Sequence, residues 1–279
     1  MINQKVCVIG DNCIDIYPES GKKYVGGNGI NSAIALKRNG IDTGYVGIIG
    51  NDVEGKLIIA ALEKENIDCS RVTKLNKKTA WTKIQFYKGD RVFVDESLGV
   101  QLKFDLFEED YEYLSNFAFV HHTIFSNWPT AVSDGIESYY EKIENQVQRL
   151  HRNKVRVSID FSERFDEKLL GSLKNFVDLG FFSRPELSHT ELKDEFKKLY
   201  EYGFSVVVIT MGAKGSAAFF GGDIIIQPAI PIRVIDTLGV GDAFIGAFLS
   251  QWTRKKTIKL ALNFAANYAA KNCLINGAF

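Results

Sequence analysis

The chain has 279 residues, 34 Lys plus Arg against 34 Asp plus Glu, and an apolar fraction of 46%. That length favours one large α/β or β domain with room for a small subdomain. Zero net charge excludes a whole-chain basic footprint for nucleic acid or anionic lipid, and the apolar content argues against extensive disorder.

Taken in chain order, short β-branched runs alternate with longer amphipathic stretches. Lys5–Ile9 predicts a strand, and the residues before it lack the charged and apolar regions of a signal peptide. Ile30–Asn39 predicts a helix ended by Gly40, Thr43–Ile49 a strand, and Gly55–Asn66 a helix whose apolar face is Leu57, Ile58, Ala61 and Leu62. Thr79–Tyr87 and Arg91–Asp95, joined by Lys88-Gly89-Asp90, read as a β-hairpin that interrupts the alternation. Its aromatics Trp81, Tyr87 and Phe93 are candidates to cover a ligand. Strands follow at Phe117–Ile124, Val155–Asp160, Phe176–Phe182, Ser205–Thr210 and Ile232–Ile235. Helices are expected at Thr130–Leu150, Ser188–Tyr202, Gly241–Arg254 and Thr257–Ile275. Unbroken apolar strands such as VVVIT imply a parallel sheet covered on both faces.

Cys7, Cys13, Cys69 and Cys273 form no C-x-x-C pair and have no His at metal-like spacing, so disulfide and zinc frameworks both fail and a reducing cytoplasm is expected. No apolar run approaches a bilayer span, so no membrane partner is expected. His121 and His122 are neighbours on a strand and point to opposite faces, so they cannot share one ion from a regular strand.

Four glycine-containing turns carry the chemistry. In DTLGVGDAFIGAF (Asp236–Phe248), Gly239 and Gly241 allow a tight turn into a helix, aiming successive N–H groups and the helix N-terminus at one point. Asp242 stands in that first turn, either as a proton acceptor beside a bound phosphate or as a plain helix cap. Tyr24–Asn31 is a Gly-rich turn entering a helix. Thr210-Met-Gly-Ala-Lys-Gly215 follows VVVIT, with Gly212 and Gly215 permitting close backbone approach to phosphates. Gly50–Leu57 is one residue from a P-loop, but Leu57 replaces the hydroxyl that would hold Mg²⁺. Asp160-Phe-Ser-Glu-Arg164 closes a strand at its carboxyl end, where open α/β sheets bind ligands.

DTLGVGDAFIGAF resembles the C-terminal signature D-T-x-G-A-G-D-x-F of the PfkB (ribokinase-like) carbohydrate kinases, with Val240 in place of a small residue. The resemblance extends from Gly10 to Ala278. It implies a ribokinase-like three-layer α/β sandwich with a mainly parallel central sheet, in a single domain over 1–279. A small β lid would be built from segments around 11–25 and 79–97. It implies ATP and Mg²⁺ as cofactors, with K⁺ as an option, and a homodimer through the lid as a possible assembly. Asp242 would be the base, and the N–H groups of Gly239, Val240 and Gly241 would stabilise the transferring phosphoryl group. The helix N-terminus should hold the Asp242 pKa low, a weak base being sufficient for a loose transition state. Asp15, Gly27, Asn28 and Asn31 would bind sugar, with Asp11 and Asn12 as further polar groups facing the same pocket. Arg164 would meet phosphate or an acidic substrate group, and Ser162 replaces the Asn of the family's D-x-N-x-R element. Thr210, Gly212, Gly215 and Asn267 would bind nucleotide. Glu186 would hold Mg²⁺ through water, although Ser183 departs from the N-x-x-E pattern, and Asp236 would stand beside a monovalent cation. Gly50–Leu57 resembles a structural turn of the family.

GDNCIDIYP, GGNGINSA, DRVFVDESLGV and IDFSERFD are together most similar to the family's bacterial fructoselysine 6-kinase branch. That implies a fructosamine acceptor phosphorylated at its 6-hydroxyl. The alternatives are a fructokinase or other ketose kinase and, from another class, a non-catalytic sugar- or nucleotide-sensing protein.

Overall fold

The computed structural model describes residues 4–87, 90–124, 136–163 and 166–279, with backbone alone for 86, 87, 90, 91, 136 and 137. Arg164, the Lys88-Gly89 turn, the Tyr87 side chain and the expected helix start at 130–135 lie outside the described residues.

Eight strands make the main sheet, in the order β14-β13-β12-β11-β10-β9-β1-β4. They are β1 (Val6–Ile9), β4 (Thr43–Val46), β9 (Phe119–Thr123), β10 (Arg156–Asp160), β11 (Leu179–Ser183), β12 (Val206–Thr210), β13 (Ser216–Phe220) and β14 (Asp223–Gln227). From β4 to β12 every pairing is parallel; β13 and β14 turn back antiparallel at the edge. Alternate residues of each strand bury on opposite faces, as period-two geometry requires. Val6, Val8, Val206 and Val208 pack under helices α1 (Asn28–Arg38), α2 (Val53–Lys64), α7 (Val240–Trp252) and α8 (Ile258–Asn272). Cys7, Ile9, Val207 and Ile209 pack under α3 (Glu108–Leu114), α4 (Ile136–Arg152), α5 (Glu167–Ser172) and α6 (Leu192–Tyr200). This is the three-layer sandwich expected from the alternation.

A second sheet has the order β3-β2-β7-β8, with β2 (Cys13–Tyr17), β3 (Lys22–Gly26), β7 (Trp81–Tyr87) and β8 (Asp90–Ser97). β7 and β8 are the expected hairpin, antiparallel throughout. β5 (Ile48–Gly50) and β6 (Thr73–Leu75) form a separate pair.

Two expectations need correction, and one hairpin is additional to them. Thr43–Ile49 is two strands, because the chain changes sheet at Gly47, where a Cβ would lie 2.6 Å from the Tyr45 hydroxyl. Ile232–Ile235 forms no strand; it is irregular, and its Ile235 N–H bonds Cys273 O. The β13–β14 hairpin, turned by Gly221 and Gly222 at positive φ, was not foreseen.

Candidate active site

The parallel strands end on one side of the sheet, and the N-termini of α1 and α7 converge there. A cleft of about 550 Å³ opens between these ends and the second sheet. Its floor includes Asp11, Asn31, Asp160, Thr210, Gly241 and Asp242. This is the location that a reversal of winding direction in an open α/β sheet leaves for ligands.

The start of α1 is fastened to the end of β1. Gly27 has φ +102 and no side chain to cap the helix, and a Cβ there would lie 2.6 Å from Asn12 Cα. Asp11 caps the helix from a distance. Its Oδ2 accepts from Asn28 N at 2.9 Å, and its Oδ1 accepts from Gly29 N at 3.1 Å and Thr123 Oγ1 at 2.9 Å. Burial nevertheless pushes the Asp11 pKa up. Asn12 turns its amide away, donating to the Tyr45 hydroxyl and Ile48 O, both at 3.0 Å.

Asp15 is buried on β2 and accepts from Cys13 Sγ at 3.4 Å. Gly26 on the paired strand makes room for it: a Cβ there would stand 2.1 Å from Asp15 Oδ2.

At α7, Gly239 adopts φ +65 against Ala278, whose Cβ lies 2.6 Å from where a Gly239 Cβ would be. Asp236 braces this turn, accepting from Leu238 N at 2.7 Å and Gly277 N at 2.9 Å. Nothing lies within 4 Å of a Cβ on Gly241, so the first turn faces open cleft. N–H groups in such a first turn lack intrahelical acceptors; that of Val240 makes only a long 3.4 Å bond to Thr237 O. The Val240 side chain packs against the core and not into the cleft.

Asp242 is 7% exposed, and its Oδ2 accepts from Asn31 Nδ2 at 2.8 Å across 211 positions of sequence. The Asn31 amide oxygen is buried and has no hydrogen-bond partner among the described residues. The Asp242 pKa is raised well above the ordinary carboxylate value, first by burial, then by Asp160, with Asp11 and Asp15 adding; the Asn31 bond opposes. The expectation of a low pKa is therefore reversed, because desolvation and three neighbouring carboxylates outweigh the helix end.

Asp160, to which the resemblance gives no role, ends β10 and lines the cleft. It is buried, and its pKa is pushed up to about 6, chiefly by burial. Ser162, at φ +53, folds back to donate its N–H at 2.8 Å and its hydroxyl at 3.2 Å to the Asp160 carboxylate. An acidic residue closing a buried parallel strand is the sequence signal that marks it.

On the β12 side, Thr210 lines the cleft, and Gly212, at φ +56, has open space where a Cβ would be. Gly215 serves a backbone crossing instead, since a Cβ would lie 2.2 Å from Gln227 O. Glu186 is exposed in the loop after β11, outside the cleft lining. Asn267 is exposed on α8, where it donates to Asn263 O at 2.8 Å.

Two tempting motifs are structural. Asp52 fills the start of α2, its Oδ1 accepting from Gly55 N at 2.9 Å and Thr79 Oγ1 at 2.5 Å. A Cβ on Gly55 would lie 2.1 Å from Gly50 O, so the near-P-loop is a packed turn and no phosphate cradle. His121 faces Ser158 and His122 faces Gln146, both buried; burial takes the His121 pKa down to about 3. Trp81 and Phe93 do line the cleft. Among the described residues, no helix is long and apolar enough to cross a membrane.

Known proteins share the architecture of this chain. The family described as pfkB family carbohydrate kinase matches residues 3–278. The chain is 34% identical over 274 residues to a fructoselysine 6-kinase of Escherichia coli, covering 98% of this chain and 99% of that one. It is 31% identical over 279 residues to fructosamine kinase FrlD of Bacillus subtilis, covering 99% and 93%. Arabidopsis thaliana ribokinase, solved with ribose and ATP, superposes with a TM-score of 0.81 at 23% identity, over 99% of this chain and 94% of that one. The architecture is thus the ribokinase fold, and the chain belongs to the pfkB family of carbohydrate kinases.

Proposed function

We propose that the protein transfers the γ-phosphoryl group of ATP to the 6-hydroxyl of a fructosamine of the fructoselysine type. The observation that carries this reading is Asp242, buried in the first turn of α7 with one oxygen held by Asn31. The other oxygen is left to accept the proton of an attacking hydroxyl. A pKa raised by its neighbours makes Asp242 a stronger base than a surface carboxylate, nearer the working pH of a proton acceptor. The N–H groups of Gly239, Val240 and Gly241, with the helix end behind them, meet charge on the transferring group.

Asp15 and the unpartnered Asn31 oxygen accept from sugar hydroxyls, with Gly27 and Asn28 at the same turn. A carboxylate can accept from two hydroxyls at once. Thr210 and Gly212 take the phosphate side of the nucleotide, with Gly215 holding their loop and Asn267 on the adenine side; Arg164 takes an acidic substrate group. Magnesium is typically held by one or two carboxylates through its waters, together with substrate phosphates. Asp160 and Glu163 in the cleft have that character, and Glu186 stands in the adjoining loop. The ion would neutralise charge on the β- and γ-phosphates. Asp236 braces the turn beside which a K⁺ ion would bind. The second sheet acts as a lid on one kinase domain, excluding water that would otherwise be phosphorylated.

A coupled ADP-release assay over fructoselysine, other fructosamines, fructose and ribose tests the reading. The fructosamines should give the highest kcat/KM. Preference for fructose would make the protein a ketose kinase, and binding without turnover of any acceptor would make it a sensor.

A further inference from the structure

The second sheet presents one row of polar side chains to the cleft. Asp15 on β2 is in register with Thr82 on β7, and Thr82 with Glu96 on β8. Directly opposed residues of paired strands face the same side, and all three line the cleft. A bulge between Lys83 and Ile84 shifts the register of β8, so that Phe93, opposite Ile84, lines the cleft together with Glu96. Without the extra residue, strict alternation would send one of the two to the other face.

Glu96 has no cationic partner among the described residues. Lys83, the basic residue beside it in register, pairs with Asp95 at 2.7 Å on the opposite face. No Lys, Arg or His lines the cleft among the described residues, whereas Asp11, Asp15, Glu96, Asp160, Glu163 and Asp242 all do. Across the cleft, Asn31 is 6% exposed and offers an oxygen with no partner among the described residues, so a polar ligand belongs between α1 and this row.

We propose that Glu96 is the specificity-determining residue that pairs with the substrate's ammonium, selecting amine-bearing ketoses over neutral ones. The inference rests on the fructosamine reading above. With strands about 4.8 Å apart, Glu96 stands roughly 10 Å from Asp15 along the row. A hexose held by Asp15, with its 6-hydroxyl at Asp242, has C1 at the far end of its carbon chain. The nitrogen on C1 of a fructosamine is an aliphatic amine, protonated at neutral pH, and it leads away from Asp242 towards the second sheet. Phe93 beside Glu96 supplies apolar surface for the alkyl chain that follows that nitrogen.

The test is Glu96→Gln, which keeps shape and removes charge. Measured at saturating ATP, kcat/KM for fructoselysine should fall tenfold or more, mostly through KM, because the neutral amide oxygen still accepts from the ammonium but without the opposite charge. The KM for ATP should stay within about twofold of wild type. Fructose, as a substrate or as a competitive inhibitor, should also bind within about twofold of wild type. A loss below threefold for fructoselysine, or an equal loss for fructose, overturns the assignment. Glu96→Lys should lower fructoselysine turnover further while sparing fructose, and equal loss of both would again overturn it. A wild-type protein that turns over no fructosamine would refute the fructosamine reading itself, a result separate from any property of Glu96.

Discussion

Asp160→Asn should stabilise the unliganded protein at neutral pH, contrary to the usual effect of removing a buried charge partner. In the folded chain Asp160 titrates at about 6, against an ordinary value of 3.8, because burial disfavours its charged form. The folded state therefore holds this proton more tightly than the unfolded state does. Its contribution to stability is full below pH 3.8 and is lost as pH rises through about 6. A shift of about two units, at about 1.4 kcal/mol each, amounts to roughly 3 kcal/mol of instability above pH 7. Asparagine removes that cost and can still accept the Ser162 N–H bond. For a chain of this size the gain corresponds to a rise in melting temperature of about 5 °C. Calorimetric melts of wild type and variant without ligands, from pH 4 to 8, should show the curves diverging as pH rises from about 4 and the gap complete once pH has passed about 6. Equal melting temperatures at pH 7.5, or a gap undiminished at pH 4, would refute the reasoning. Asp160 is also the foremost charged neighbour raising the Asp242 pKa, so the acid limb of kcat/KM should move to lower pH in the variant.

Three further outcomes follow from the site. Asp242→Asn should lower kcat about 10²-fold or more, with nucleotide binding by calorimetry little changed. Gly26→Ala should raise the sugar KM about tenfold and leave the ATP KM near wild type, because the new methyl displaces the Asp15 carboxylate. Asp11→Ala removes the tertiary cap of α1 and should cost about 1–2 kcal/mol in urea unfolding.

What the sequence disclosed and what it hid divide along physical lines. Unbroken apolar strands and the turns around Gly27 and Gly239 were legible because each is a local pattern, readable within a dozen residues. The 24–31 and 236–248 motifs pointed to one cleft, and the structure joins them through the Asn31–Asp242 bond. The sign of the Asp242 shift was not legible. It depends on how many carboxylates from distant segments share one buried volume, and no local pattern reports that. Asp160 was marked by its place at the end of a buried parallel strand, but its effect on Asp242, 82 positions later, was hidden for a related reason. Glu96 was hidden by the bulge, since strict alternation along β8 predicts the wrong companions for Phe93. Asp11 looked like one more pocket group, and its work as a cap on α1 required the close approach that Gly27 and Gly29 allow.

The two helices that meet at the cleft begin in opposite ways, and that difference accounts for where charge can go. The start of α1 is filled by the protein's own carboxylate, Asp11, so its positive end is already satisfied. The start of α7 has a glycine at its cap without a side-chain bond, and it faces open cleft. Only this second end has an electrostatic reason to attract an incoming anion. Yet it lies beside Asp242 and within the influence of Asp160, Asp11 and Asp15, whose combined field opposes that anion. A phosphoryl group therefore gains most at α7 when it brings its own cation, or when protons occupy some of these carboxyls. The raised pKa values of Asp242, Asp160 and Asp11 are the same conflict seen from the protein's side. A net charge of zero over the whole chain thus conceals a cleft whose described lining is acidic and onto which the start of α7 opens without a side-chain cap.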